Sequence, residues 1–316
     1  MNGILSRLLV SKFGTYMKVN STLYVALTLC MLQACGNSSQ SSGNHESAQS
    51  APNISQRVEA AHAELTDAVD VNKIVVNLDH HGMAQEEGVY TPPSIATIFS
   101  YPAVNTRLIK ANQLVALDLP FKTLCYTEAD TSEVYLAWTS GDFISKRHAL
   151  PSALLSEYDE QLSSVITGME KAKPSNTNVD SVDLGFGIIE IDSDFDFATT
   201  IENLRNIVNA QSDTRWFGEV EFARDAQSLG EEIRPTTLLL FGGPAPGGKA
   251  MMTTPKIGLD AFCQKLLVYQ TEEEGVKVAF NDIVAFSKLY YGQSTKPQAM
   301  INQRLTQTFT KAVTKS

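Results

Sequence analysis

Much of the second half of the chain is the first half again. Laid over itself with an offset of 142 residues, Val75 to Ser140 runs against Phe217 to Asp282 without a gap. Gly88 falls on Gly230, Pro93 on Pro235, Phe99 on Phe241, Pro102 on Pro244, Asp118 on Asp260 and Leu124 on Leu266, and apolar positions match between them. A repeat of this length is too long for a solenoid unit and long enough to close a core of its own. The chain should therefore build two like units.

Within each copy the apolar spacing marks the elements. Val58, Ala61, Leu65 and Val69, and likewise Phe197, Ile201, Leu204 and Val208, recur at helical spacing. Strands are predicted at Ile74 to Leu78, Ile95 to Ser100, Lys122 to Thr127 and Val134 to Thr139. Their counterparts are Trp216 to Phe222, Thr237 to Gly242, Lys265 to Gln270 and Val276 to Asn281. A short polar turn joins the last two strands of each copy, as in a hairpin. Pro151 to Met169 and Pro297 to Val313 read as closing helices, with proline near the start where a helix tolerates it. Consecutive strands with helices at the ends predict an α+β unit, an antiparallel sheet with helices on one face. The first repeat should span 55–172, a linker 173–182 and the second repeat 183–316. The second copy alone has a leading strand, Gly185 to Asp192, apolar on both faces over most of its length and so expected to be central or interfacial.

The first 34 residues contain Arg7, Lys12 and Lys18 and no acid, and Thr22 to Ala34 is an apolar run ending at Cys35. This order of charge, apolar stretch and small-residue exit is that of a secretory signal, here 1–34. Leu32-Gln33-Ala34-Cys35 resembles the lipobox of bacterial lipoproteins, which implies cleavage before Cys35 and acylation of its thiol. Gly36 is similar to the residue that sorts such proteins to an outer membrane facing the periplasm. Residues 35–54, almost free of apolar side chains at first, read as a flexible tether. The whole chain has 25 basic and 35 acidic residues. That balance argues against a nucleic-acid partner, since the body would repel phosphate.

Gly243 to Lys249, within GGPAPGGKA, is one residue short of a phosphate-cradling loop. Pro244 and Pro246 have no N–H to offer an oxygen, and Ala250 stands where a hydroxyl is needed. The segment is expected to be a loop between strands that binds no nucleotide. All five histidines lie in the tether or the first copy. If His80 and His148 converge with Asp79, Asp118 and Arg147, they could serve as acid and base or hold a metal. The alternative is that the aspartates cap turns and the imidazoles satisfy local backbone. Asp118 and Asp260, kept in both copies, read more simply as shared caps. Cys125 and Cys263 lie in apolar surroundings and are expected to be free thiols. Neither a metal centre nor a cofactor motif is read from the sequence.

Asp79-His80, Gly88, Pro93, Phe99, Pro102, Leu117-Asp118-Leu119-Pro120 and Arg147-His148 resemble the bacterial family called domain of unknown function 302. In the second copy the resemblance rests on Gly230, Arg234-Pro235-Thr236, Phe241-Gly242, Pro244, Pro255 and Leu259-Asp260. It implies a fold similar to that of the TATA-binding protein, with the two copies packed as a pseudo-dimer, and it implies no reaction. A cell-envelope lipoprotein that binds a small molecule or acts as an accessory is expected. An enzyme with a His/Asp/Arg site in the first repeat and a structural envelope protein are the alternatives.

Overall fold

The computed structural model describes residues 53–315. The signal segment, Cys35 and nearly all of the tether lie outside them. Helix α1 (Ile54–Ala68) starts at a capping box in which Asn53 accepts from the Gln56 backbone and the Gln56 side chain accepts from Asn53. Then come β1 (Ile74–Asp79), α2 (His80–Glu86), β2 (Ser94–Phe99), α3 (Pro102–Ala111), β3 (Phe121–Tyr126), β4 (Tyr135–Trp138), α4 (Gly141–His148) and α5 (Ser156–Ile166). After β5 (Lys173–Pro174) and β6 (Ile188–Ser193) the series recurs. It runs α6 (Phe197–Asn209), β7 (Arg215–Glu221), α7 (Phe222–Ser228), β8 (Thr236–Gly242), α8 (Pro244–Met251), β9 (Gln264–Gln270), β10 (Val276–Asn281), α9 (Ile283–Tyr291) and α10 (Lys296–Val313).

The offset of 142 holds in detail. It carries α2 onto α7, and it carries the 3-10 turn Gln113–Leu117 onto Pro255–Leu259. Both β1 and β7 shift register at the same place, beside Val75 and Phe217. The short helices α2 and α7 are each followed by a glycine in the left-handed region, Gly88 at φ 70° and Gly230 at φ 75°. That conformation costs a side-chain-bearing residue about 1–2 kcal/mol, which explains a glycine in both copies.

Each sheet has five strands, ordered β1-β2-β3-β4-β5 and β6-β10-β9-β8-β7. Every pairing is antiparallel except the two-residue contact of β5 with β4. Helices α1 and α5 pack over the first sheet, and α6 and α10 over the second. The other face of each sheet is covered by the opposite repeat, whose 3-10 turn lies across its central strands. Both faces of β2, β3 and β8 are consequently buried, and β8 carries the continuous apolar run Leu238 to Phe241. In the first core Phe121 stacks on Tyr158 at 4.2 Å between ring centres. In the second, Phe309 meets Phe241 and Phe280 edge-on at 5.8 and 5.3 Å. The repeats close into one compact unit.

Three features differ from the sequence expectation. The leading strand β6 is an edge strand and not a central one; Gly185 to Gly187 just before it bond to Arg147, and Ile188 at its start packs against the cluster that holds the first repeat's core. The position beside β4 in the first sheet is filled by β5, drawn from the segment expected to be a linker. Residues 244–251 form helix α8 and not a loop, because Pro244 is acceptable at a helix start and Gly243 serves as its N-cap.

Candidate functional site

Two places gather chemistry-bearing side chains, and both lie between the repeats. The first is a buried polar centre. Each 3-10 turn ends on an aspartate, Asp118 or Asp260, whose backbone N–H closes the turn onto Val115 or Ile257. Arg147, at the end of α4 and fully buried, donates from Nη1 to both Asp118 oxygens at 2.8 Å. Its remaining donors reach the Phe186 and Gly187 carbonyls at 2.8 and 3.1 Å and Asn281 Oδ1 at 2.7 Å, all in the second repeat. His148 Nε2 lies 2.7 Å from Asp118 Oδ2, and Tyr290 donates to Asp260 Oδ2. Lys122 Nζ donates to Asp260 and lies 3.6 Å from Asp118, bridging the two copies.

Burial alone would push both carboxyls up, but opposing charges outweigh it. Asp118 is held well below the usual range by Arg147, His148 and Lys122, and Asp260 is lowered by Lys122 and Lys265. Lys122 is raised because Asp260 and Asp118 overcome its own desolvation. Lys265 goes the other way: burial and the neighbouring Lys122 charge push it well below the ordinary lysine range, and its Nζ has no hydrogen-bond partner. Each buried carboxylate has a buried cation against it, Arg147 on Asp118 and Lys122 on Asp260. Buried charges are tolerated on such terms, and the centre acts as a rivet between the repeats.

Of the five sequence candidates, Asp118, Arg147 and His148 meet here. Asp79 and His80 are not joined to them by any hydrogen bond or ion pair among the described residues. Asp79 caps α2, accepting from Gly82 N at 2.9 Å. His81 and His62 are occupied locally, with the Thr91 carbonyl at 2.6 Å from one and Asn77 and Thr97 at 3.2 and 3.0 Å from the other. Lys122, Lys265, Asn281 and Tyr290 were missed. The available signal was a lysine inside an otherwise apolar strand, as in PFKTLCY and CQKLLVY.

The second place is a narrow apolar cleft where α2 of the first repeat meets α8 of the second. His80 and Met83 line one side, Gly247, Gly248 and Met251 the other, and Phe262 and Cys263 the end. Its free volume is about 20 Å³, enough for one water-sized occupant. The glycines serve close approach: a Cβ on Gly248 would stand 2.6 Å from that of Ala84, and one on Gly247 would stand 3.3 Å from the Phe262 ring. This is why the glycine-rich segment is present although it forms no loop. His80 is 7% exposed and its Nε2 has no hydrogen-bond partner. Burial, only partly offset by Asp79 and the Gly258 backbone, lowers its pKa to about 4. Cys263 is a free thiol, pushed up to about 12 by burial, and Cys125 is also free and buried. Among the described residues, no three His, Cys, Asp or Glu side chains are placed to hold a metal ion together.

The pseudo-equivalent junction is an open groove of about 410 Å³. There Val75, Ser100, Pro102 and Asp225 stand where the cleft has Phe217, Gly242, Pro244 and Met83.

Among known proteins, the Fluoride-specific ion channel FluC 1 of Brucella suis biovar 1 (strain 1330) is 30% identical over 77 residues, which are 24% of this chain and 30% of that one. The chain thus spans under a third of that relative. No helix among the described residues is long and apolar enough to cross a membrane. A solved structure, described as an uncharacterized conserved protein DUF302 from Bacillus stearothermophilus, is similar at 16% identity with a TM-score of 0.34. The likeness covers 40% of this chain and 95% of that one. The family model for Domain of unknown function DUF302 matches residues 47–169 and again 189–312. The chain belongs to the DUF302 family and carries its domain twice in tandem.

Proposed function

We propose that this protein is a lipid-anchored binding protein of the bacterial cell envelope, held by acylated Cys35 in the outer membrane and facing the periplasm, with its ligand in the cleft between α2 and α8. The cleft carries this reading, because it is apolar, built by both repeats, and holds a buried imidazole nitrogen without a partner. Binding sites combine apolar walls with a few placed polar groups in this way. Arg147 joins the repeats, and Asp118 and His148 are engaged with it in the same buried centre, which favours binding over catalysis. The free volume suits a very small ligand.

Native mass spectrometry of the full-length protein, purified from its own host, tests the binding. A bound species present in the wild type and lost from His80→Gln is the expected result. A mass equal to that of the bare chain in both would overturn it. For the anchor, Cys35→Ser should leave the membrane fraction, since an acyl chain and no spanning helix would hold the protein there. Retention of that variant through an alkaline wash would refute the anchor.

A further inference from the structure

The four polarisable donors of the cleft are one imidazole nitrogen and three sulfur atoms. His80 Nε2 is buried with the Gly258 backbone beside it but makes no well-formed hydrogen bond, which ordinarily costs about 1–3 kcal/mol and calls for a reason. Met251 faces the same spot. A Cβ placed on Gly258 would lie 2.8 Å from Met251 Cε and 3.3 Å from His80 Nε2, so the two side chains converge over a residue that has no side chain. Cys263, 6% exposed, has only the Phe241 and Gln264 carbonyls near its sulfur, at 3.6 and 3.4 Å. Met83 completes the lining from α2.

We propose that His80, Met83, Met251 and Cys263 form a binding site for one soft monovalent cation, Cu(I) or Ag(I). The proposal rests on the reading of this cleft as the ligand site. Thioether and thiolate sulfur select such ions, and imidazole is compatible with them. Charge decides against a divalent ion. No carboxylate lines the cleft, and one thiolate cancels a single positive charge while a second would stay buried and uncompensated. On binding, the cation takes up the Cys263 sulfur lone pair, the S–H proton leaves to solvent, and no electron is transferred. His80 needs no proton released at neutral pH, because burial already keeps it neutral.

A purely structural reason for these side chains would apply to both copies. It does not: the positions equivalent to His80, Met83, Met251 and Cys263 are Phe222, Asp225, Ile109 and Phe121. The scaffold is duplicated, and the soft donors occur in one junction alone.

The test uses the full chain with Cys30→Ser, Cys35→Ser and Cys125→Ser, so that Cys263 is the single thiol. It is titrated with silver nitrate, and with Cu(I) in competition with a chromophoric chelator. One equivalent should bind, and zinc sulfate should not compete. Met251→Leu, close in volume, should lower affinity by at least the about 10–100-fold that loss of a supporting contact costs at metal sites. Cys263→Ser should abolish binding. If the chain unfolds cooperatively yet binds neither ion, the proposal is overturned. It is equally overturned if Met251→Leu and His80→Gln bind as the parent does, since the ion would then sit on a bare thiol. An organic species bound to native protein that takes no silver would sink this proposal and leave the cleft reading standing; no bound species of any kind would sink both.

Discussion

His148 and Tyr290 stand at the same place in the two repeats, and each engages the buried aspartate of its own copy. His148 Nε2 lies 2.7 Å from Asp118 Oδ2, and the Tyr290 hydroxyl donates to Asp260 Oδ2. Imidazole and phenol differ in charge chemistry, yet both deliver a ring-borne polar atom at the end of a helix. What the two copies share is therefore a partnered aspartate under the opposite sheet, whatever group partners it.

Replacing Asp118 by Ala leaves Arg147 and Lys122 facing each other without their shared anion. Removing one member of a buried charge set costs about 3–5 kcal/mol. Tyr290→Phe removes a single hydrogen bond and leaves Asp260 with Lys122, so it should cost about 1–3 kcal/mol. Urea unfolding of both variants checks the order. Equal midpoints for Asp118→Ala and the wild type would show that the centre does not hold the repeats together.

Acid should weaken the fold in two stages. The folded pKa of His80, about 4, lies below its ordinary 6.5, so between these values the unfolded chain binds more protons. Stability then falls as pH drops through that window and levels off below it, by about 3.5 kcal/mol at roughly 1.4 kcal/mol per unit. The lowered carboxyls of Asp118 and Asp260 act afterwards. Their contribution is present above the ordinary carboxylate range and is lost as pH falls through their folded values. His80→Gln should flatten the first stage and spare the second, which urea midpoints between pH 7 and 3 would reveal. An unchanged slope from 6.5 to 4 in that variant would rule out His80 as the cause.

Gly248→Val would drive a branched side chain into Ala84 and Val89 across the repeat boundary. Overpacking of this kind costs about 1–3 kcal/mol. Gly230→Ala meets nothing within 4 Å but must keep a positive φ, so it should lose about 1–2 kcal/mol for a local reason. Thermal melts separate the two mechanisms when combined with Ala84→Gly, which should restore part of the Gly248→Val loss and none of the Gly230→Ala loss.

Expressed apart, residues 54–172 and 180–316 should each fold poorly. Each would expose the sheet face its partner covers and would strand half of the charged centre. Amide proton spectra decide the matter. Sharp, dispersed signals with cooperative unfolding from both fragments would mean that the interface is dispensable.

The repeat was legible because gapless self-similarity needs no knowledge of packing, and the strands followed from alternation and apolar runs. Helices α2 and α7 were not, since seven residues such as HHGMAQE offer barely two turns of periodicity. Helix α8 was hidden by its own composition. Two prolines and two glycines in PAPGGKAM argue locally for a loop, and the reason for Gly248, contact with Ala84, lies more than a hundred residues away in sequence. Edge placement of β6 was missed for a similar cause, because Ile189 and Ile191 are covered by the helices of their own repeat. Asp118 could be picked out as a polar residue in an apolar setting, and Arg147-His148 by the resemblance to the family. That Arg147 also reaches Asn281 and Lys122 reaches Asp260, while His80 turns to a separate cleft with Met251 and Cys263, depends on how the copies face each other, which no single-copy pattern encodes.

Covalent fusion of the copies has a consequence for counting. Two identical separate chains related by a two-fold axis would have to present every junction twice. In a fused chain one junction can keep Phe121, Ile109 and Phe222 while the other keeps Cys263, Met251 and His80, so the proposed ligand would bind at a stoichiometry of one per molecule.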